Sequence, residues 1–166
     1  MSSPPFDGEA LLRALTAASV GFIVIGGVAL GAHGFRRATK DIDIVPAPDQ
    51  DNLRRLAGVL TSLEYSIMGT HEFESDELVN PDLEALMAGG NWVLSTKFGR
   101  LDILQFVEPD FDYSKLAPEA VADDVFGLQV RFCGYDHLVA MKEAAGRPQD
   151  LADLERLRAI RGESES

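Results

Sequence analysis

A chain of 166 residues leaves room for one domain with at most a small helical appendage, and it can bury a core without staples. A single cysteine, Cys133, excludes an internal disulfide and a zinc site built on thiolates. The formal net charge of −12 excludes a general, salt-driven grip on nucleic acid, which needs a basic face.

The first predicted element is an amphipathic helix over Asp7 to Ala18, with Leu11, Leu12 and Leu15 at helical spacing and Asp7 as its N-cap. Phe22-Ile23-Val24-Ile25 is a short β-rich run, which predicts a buried strand closed by a tight turn at Gly26-Gly27. Val28 to His33 predicts a short helix that stops at Gly34. Asp41 to Val45 alternates polar and apolar residues as a half-buried strand does, and Pro46 and Pro48 end it. Asp49 to Leu63 is a second amphipathic helix, with Leu53, Leu56, Val59, Leu60 and Leu63 on one face.

Tyr65 to Met68 predicts a short strand. Gly69 to Gly90 is mixed and acidic, with one helical stretch at Asp82 to Met87. Trp92 to Thr96 and Leu101 to Val107 predict a hairpin joined through Lys97-Phe98-Gly99-Arg100. Leu128 to Phe132 predicts a further strand, and Tyr135 to Ala145 and Gln149 to Ile160 predict helices broken at Gly146 and Pro148. The polar tail from Gly162 is expected to fray. The longest apolar stretch, Val20 to Ala32, is too short and too broken by glycine to cross a bilayer. Met1 to Gly8 has no basic residue ahead of an apolar run, so no signal peptide is expected and the location is expected to be cytoplasmic.

The residues that carry chemistry are acidic. Asp41 and Asp43 stand two apart on a predicted strand, so their side chains share a face at a spacing of roughly 7 Å while Ile42 and Ile44 point the other way. Like charges this close raise each other's pKa, and a divalent cation removes that cost. Mg²⁺ prefers hard oxygen ligands, commonly one or two carboxylates plus substrate phosphates. Asp102 sits inside the apolar run Leu101-Asp102-Ile103-Leu104, where it serves either as a solvent-facing charge or as a third ligand. Upstream, Gly26-Gly27 allows close approach of the backbone to a phosphate, and a following helix start offers free N–H groups to an anion. Basic residues cluster modestly around these features: Arg36, Arg37 and Lys40 before the acidic pair, Lys97 and Arg100 beside Asp102, and Lys142 and Arg147 further on.

Gly26-Gly27-Val28-Ala29, His33-Gly34, Arg36 or Arg37, Thr39 and Asp41-Ile42-Asp43 together resemble the signature of the nucleotidyltransferase superfamily, which has the polymerase-beta-like fold. The pattern is most similar to the minimal bacterial branch that includes AbiEii-like toxins of type IV toxin–antitoxin pairs. Lys142, Arg147, Asp150 and Asp153 resemble that branch's downstream motif, a Lys and then Arg-x-x-Asp across two helices.

The resemblance implies an α+β nucleotidyltransferase fold, a small mixed sheet packed with helices and followed by a C-terminal helical segment. A core over 1–134 and helices over 135–161 would form one compact domain, with a tail at 162–166. It implies Mg²⁺-dependent transfer of a nucleotide from a nucleoside triphosphate to an acceptor hydroxyl, in the toxin branch commonly the 3′ end of tRNA. By the same resemblance Asp41, Asp43 and Asp102 hold the metal and, with Lys142, form the catalytic set. Gly26, Gly27, Arg36, Thr39, Lys40, Arg147 and Asp150 are the expected nucleotide-binding residues, and a cognate antitoxin is the expected protein partner.

Thr39 lies two residues before Asp41, where the triphosphate is expected to pass. Phosphorylation there would add about two negative charges and oppose nucleotide binding. Two other readings follow from the same residues. An acidic cleft suits a cationic small acceptor, as in aminoglycoside-inactivating relatives, and a non-catalytic nucleotide-binding partner would keep the fold without the reaction. His33 is expected to pack or cap the short helix, and Cys133 to be a small buried apolar residue. Trp92 is expected in the core, and His71 and His137 have no metal-ligand spacing.

Overall fold

The computed structural model describes residues 4–68 and 78–162. Among them the strands form one seven-stranded mixed sheet, and helices lie between them in the chain. The chain opens with α1 (Gly8–Ala17), capped by the Asp7 side chain accepting from Ala10 N–H, and turns into β1 (Phe22–Ile25). Four apolar residues in succession make β1 buried on both faces, as a central strand must be. Gly26-Gly27 does not form a separate turn. It opens a one-turn helix, α2 (Gly26–Ala29), which tightens to a 3₁₀ turn over Leu30–His33 and ends at left-handed Gly34.

Next come β2 (Asp41–Pro46), α3 (Gln50–Ser62), the two-residue β3 (Ser66–Ile67), α4 (Leu83–Ala88), β4 (Asn91–Thr96) and β5 (Gly99–Leu104). After these follow α5 (Tyr113–Leu116), β6 (Val121–Val125), β7 (Leu128–Phe132), α6 (Tyr135–Ala145) and α7 (Pro148–Arg161). The strand order is β3-β4-β5-β2-β1-β7-β6. β2 lies antiparallel to β1 and parallel to β5 at the middle of the sheet, while β4–β5 and β6–β7 are antiparallel hairpins.

The core is built by Leu11, Leu12 and Leu15 of α1 and Leu53, Leu56 and Leu60 of α3, packed with Ile42, Ile44, Leu101 and Ile103 of the central strands. α6 and α7 add Leu138, Met141 and Leu157. No helix among the described residues is long and apolar enough to cross a membrane.

Besides the helix at Gly26-Gly27 and the short α5, for which no element was expected, the structure departs from the expected elements at β5, β6 and the start of α7. β5 starts at Gly99 and ends at Leu104, because the turn is only Lys97-Phe98 and Thr96 pairs directly with Gly99. Beyond Leu104 the Asn91 side chain takes the N–H groups of Gln105 and Phe106, at 2.9 and 3.2 Å, and the ladder stops. β6 was not expected: Val-Ala-Asp-Asp-Val is an edge strand with four exposed residues, so it shows no apolar alternation. Pro148 begins α7 rather than breaking the chain before it, since proline suits a first helical turn. The expectations for His71 and for the tail beyond Gly162 fall outside the described residues.

Candidate active site

β2 and β5 pair in parallel with Asp43 opposite Asp102, so one register brings the two carboxylates side by side. Asp41 lies on the same face, two residues upstream on β2. One carboxylate oxygen from each of Asp41, Asp43 and Asp102 lies within 4.8 Å of the others. On the opposite side of β2, Ile25 pairs with Asp43 and leads directly into Gly26. The site therefore sits where β1 ends and α2 begins, over the centre of the sheet.

Gly26 has a left-handed backbone (φ +73°), and a Cβ there would collide with Asp43 Oδ2. The glycine is required twice, by the backbone and by the carboxylate packed against it. Gly26→Ala is expected to weaken divalent-cation binding at the triad by roughly 10–100-fold, because it moves a carboxylate that must be held in place. A strained φ adds about 1–3 kcal/mol of destabilisation. Mn²⁺ titration alongside thermal unfolding measures both.

Asp43 is the most perturbed group. Burial, then the charges of Asp41 and Asp102 and its hydrogen bonds to both, push its carboxyl up to about 9. Its Oδ1 is buried and has no hydrogen-bond partner. Asp102 is buried (6% exposed) and receives both arms of a guanidinium fork, Arg100 Nε to Oδ1 and Nη2 to Oδ2, each at 2.9 Å. Arg100 Nε also lies 3.8 Å from Asp41 Oδ2. The Asp102 hydrogen bond, followed by the charges of Asp102, Asp41 and Asp43, holds Arg100 firmly in its charged form.

These residues fit a divalent cation. All three donors are hard carboxylate oxygens, one is orphaned in the interior, and a bound cation would offset the burial and like charges that raise the Asp43 carboxyl.

The remaining expected site residues divide into three sets. Arg147 has a 76% exposed side chain bonded to Asp150, and after that bond the charges of Asp150, Asp43 and Asp41 also favour its protonated form. Gly27, Arg36 and Thr39 instead line a cleft of about 300 Å³ shared with Arg37, Phe6 and Ile42. Ile42, on the face of β2 opposite Asp41 and Asp43, is part of this lining. Gly27 packs there against Thr39, whose Cγ2 would lie 2.8 Å from an added Cβ. Lys40 is exposed.

Lys142 and Asp150 belong to a buried ion cluster. Lys142 Nζ donates to Asp153 Oδ2 at 2.8 Å and to Asp150 Oδ1 at 3.4 Å. Arg37 forks onto Asp153 from the loop before β2, with both bonds at 2.9 Å, and Gln149 adds a third donor. Burial alone would raise the Asp150 and Asp153 carboxyls, but the bonds and charges of Arg147, Arg37 and Lys142 outweigh it and hold both below the usual carboxylate range. The Arg147–Asp150 pair also forms the capping box of α7, with Arg147 N–H donating to Asp150 Oδ2 at 3.2 Å.

Arg100 is the site residue that sequence reasoning placed only in a basic patch. Its i, i+2 spacing to Asp102 on one strand was the available signal, since that spacing sets both on one face. The two described histidines, His33 and His137, have partners. His33 Nε2 lies 2.8 Å from the Cys133 carbonyl, and His137 Nε2 lies 2.9 Å from Glu119 Oε2. Cys133 is buried, and burial pushes its thiol up to about 12. Trp92 is buried in the core and donates to the Val79 carbonyl at 2.7 Å.

No protein-family model matches the sequence, and comparison with curated proteins finds no match. Solved structures do match in fold. The lincosamide antibiotic adenylyltransferase LnuA, solved with lincomycin bound, aligns at 14% identity and a TM-score of 0.63, over 94% of this chain and 99% of that one. ANT(2″)-Ia in complex with adenylyl-2″-tobramycin aligns at 13% identity and 0.56, over 92% and 86%. An antigenic nucleotidyltransferase-like protein from Paracoccidioides brasiliensis aligns at 13% and 0.56, over 94% and 78%. The chain has the nucleotidyltransferase fold, a mixed α+β architecture.

Proposed function

We propose that this chain is a Mg²⁺-dependent nucleotidyltransferase that moves a nucleotide from a nucleoside triphosphate to the 3′ hydroxyl of tRNA, as the cytoplasmic toxin of a type IV toxin–antitoxin pair. The observation that carries the enzymatic part is the convergence of Asp41, Asp43 and Asp102, with a buried orphan oxygen, beside a glycine that admits no side chain. When bound, Mg²⁺ supplies positive charge to the carboxylates and to the triphosphate oxygens. Asp41 and Asp43 would hold it, and Asp102 would complete the set and accept the proton of the attacking hydroxyl at a carboxylate oxygen. The acceptor oxygen forms a bond to the α-phosphorus, the α–β phosphoanhydride breaks, and pyrophosphate leaves. Gly26 and Gly27 let the triphosphate approach, and Arg147 offers it a fixed positive charge.

The tRNA acceptor and the toxin role rest on the resemblance of the Gly26-to-Asp43 and Lys142-to-Asp153 motifs to the toxin branch. Thr39 is the proposed target of an antitoxin that phosphorylates. It is partly exposed beside Arg37 and Arg36, within two residues of Asp41. Mass spectrometry of the protein co-expressed with its genomic neighbour tests this, and an unmodified Thr39 in inactive protein refutes it.

A second reading, transfer to a small cationic acceptor, is favoured by the net charge of −12 and by near-complete overlap with a lincomycin-bound adenylyltransferase. One experiment separates the two. Purified protein is incubated with Mg²⁺ and each α-labelled nucleoside triphosphate, with tRNA, a lincosamide or an aminoglycoside as acceptor. Label in tRNA that is lost in Asp41→Ala supports the first reading, and label in a drug supports the second. Label in neither, with wild type and Asp43→Ala alike, points to a non-catalytic nucleotide-binding protein.

A further inference from the structure

The triad does not stand alone: Arg100 sits among its carboxylates. Asp102 gives both oxygens to the Arg100 fork, and the same Nε faces Asp41 at 3.8 Å. A planar, bidentate pair of this kind is held by geometry as well as charge. A divalent cation that takes Asp102 as a ligand competes for the same oxygens. The two side chains differ in freedom: that of Asp102 is buried and held in the sheet, whereas that of Arg100 is 43% exposed and can turn out without unpacking the core. Once turned out, it has lost its carboxylate, and Asp41 is engaged as well. The anion then within reach is the triphosphate that arrives with the metal, and a guanidinium fork matches phosphate as well as it matches carboxylate.

We propose that Arg100 is a built-in counter-ion of the triad that yields to the metal when a triphosphate is present to receive its guanidinium, so that metal and nucleotide bind cooperatively. This rests on the reading of the triad as a metal–nucleotide site. Metal alone must break the Arg100–Asp102 fork with only water in exchange, and it binds weakly. Metal with nucleotide exchanges one anionic partner of Arg100 for another. By linkage, each ligand strengthens the other by the same factor.

The test is Mn²⁺ binding, read by the electron paramagnetic resonance of free Mn²⁺. Wild type, Arg100→Lys, Arg100→Gln and, as a control, Asp43→Asn are each measured with and without α,β-methylene nucleotide analogues. Metal held by free analogue is subtracted. The analogue is expected to tighten Mn²⁺ binding to the wild type by about 10-fold or more, within the usual range of coupling between sites. Arg100→Gln should bind Mn²⁺ alone at least about 10-fold more tightly than wild type and lose most of the coupling. Arg100→Lys keeps the charge but not the fork, so a gain in Mn²⁺ affinity there separates loss of the fork from simple removal of charge. Wild-type affinity in Arg100→Lys, or unchanged coupling in Arg100→Gln, overturns the inference while leaving the metal site standing. Absence of Mn²⁺ binding to the wild type in every arm, as in Asp43→Asn, overturns the metal-site reading itself.

Discussion

Asp43→Asn is expected to abolish nucleotide transfer and, in the absence of metal, to make the protein more stable. The two effects share one cause. Asp43 is buried among like charges, with its carboxyl pushed up to about 9 and one oxygen unpartnered. In the unfolded chain the same group titrates near its ordinary value of 3.8. Between these two values the folded state binds more protons than the unfolded state, so metal-free stability falls as pH rises through that window. The asparagine carries no charge to desolvate and removes this slope. At pH 8 and without divalent ions, Asp43→Asn should melt roughly 5 °C or more above the wild type, which for a chain of this size corresponds to a couple of kcal/mol. At pH 4 the difference should nearly vanish. Added Mg²⁺ should stabilise the wild type and not the variant, and metal binding should tighten with rising pH because it displaces the Asp43 proton. A metal-free variant that melts below the wild type at pH 8 would show that Asp43 is well solvated after all.

Asp153→Ala should have the opposite character, a large loss of stability. Asp153 is fully buried and receives the Arg37 fork, Lys142 and Gln149. It joins α6, α7 and the loop that leads into β2. Without it, Lys142 remains buried with only the longer contact to Asp150 at 3.4 Å. Breaking a buried pair in this way costs about 3–5 kcal/mol. Chemical denaturation should report that loss as a lower midpoint with an unchanged slope. The pH dependence has the reverse sign to that of Asp43. The Asp153 carboxyl is held below its ordinary value, so its contribution is complete above that value and is lost as pH falls through the depressed one. Wild type should therefore be more acid-labile than Asp153→Ala, relative to each protein's own stability at neutral pH.

The contrast between these two aspartates shows where the sequence was legible. α1, α3, β1 and β2 are plain from apolar spacing alone, because each has a face or a run that must be buried. The side-by-side placement of Asp43 and Asp102 depends on a parallel register between strands more than fifty residues apart, and no local pattern encodes that. β6 is silent for a related reason: an exposed edge strand with paired aspartates has no buried face to announce it. Among the polar residues, type and spacing pointed to ion chemistry but not to its partner. Lys142 read as part of the catalytic set and Arg147 as a nucleotide ligand, and Lys142 is buried against two aspartates while Arg147 is largely exposed. Thr39 and Gly27 read as part of the phosphate path, and they pack against each other in a cleft lined by Ile42. What differs between these residues is side-chain burial, which is set by tertiary packing that residue type does not reveal.

The account stands on the claim that Asp41, Asp43 and Asp102 hold a catalytic divalent ion. Anomalous scattering from crystals grown with Mn²⁺ and an α,β-methylene nucleotide tests it most directly. A peak is expected with carboxylate oxygens of all three residues at about 2.0–2.3 Å, a triphosphate oxygen in the same shell, and Arg100 turned away from Asp102. A peak elsewhere, or nucleotide bound with the Arg100–Asp102 fork intact and no metal between the carboxylates, would contradict it.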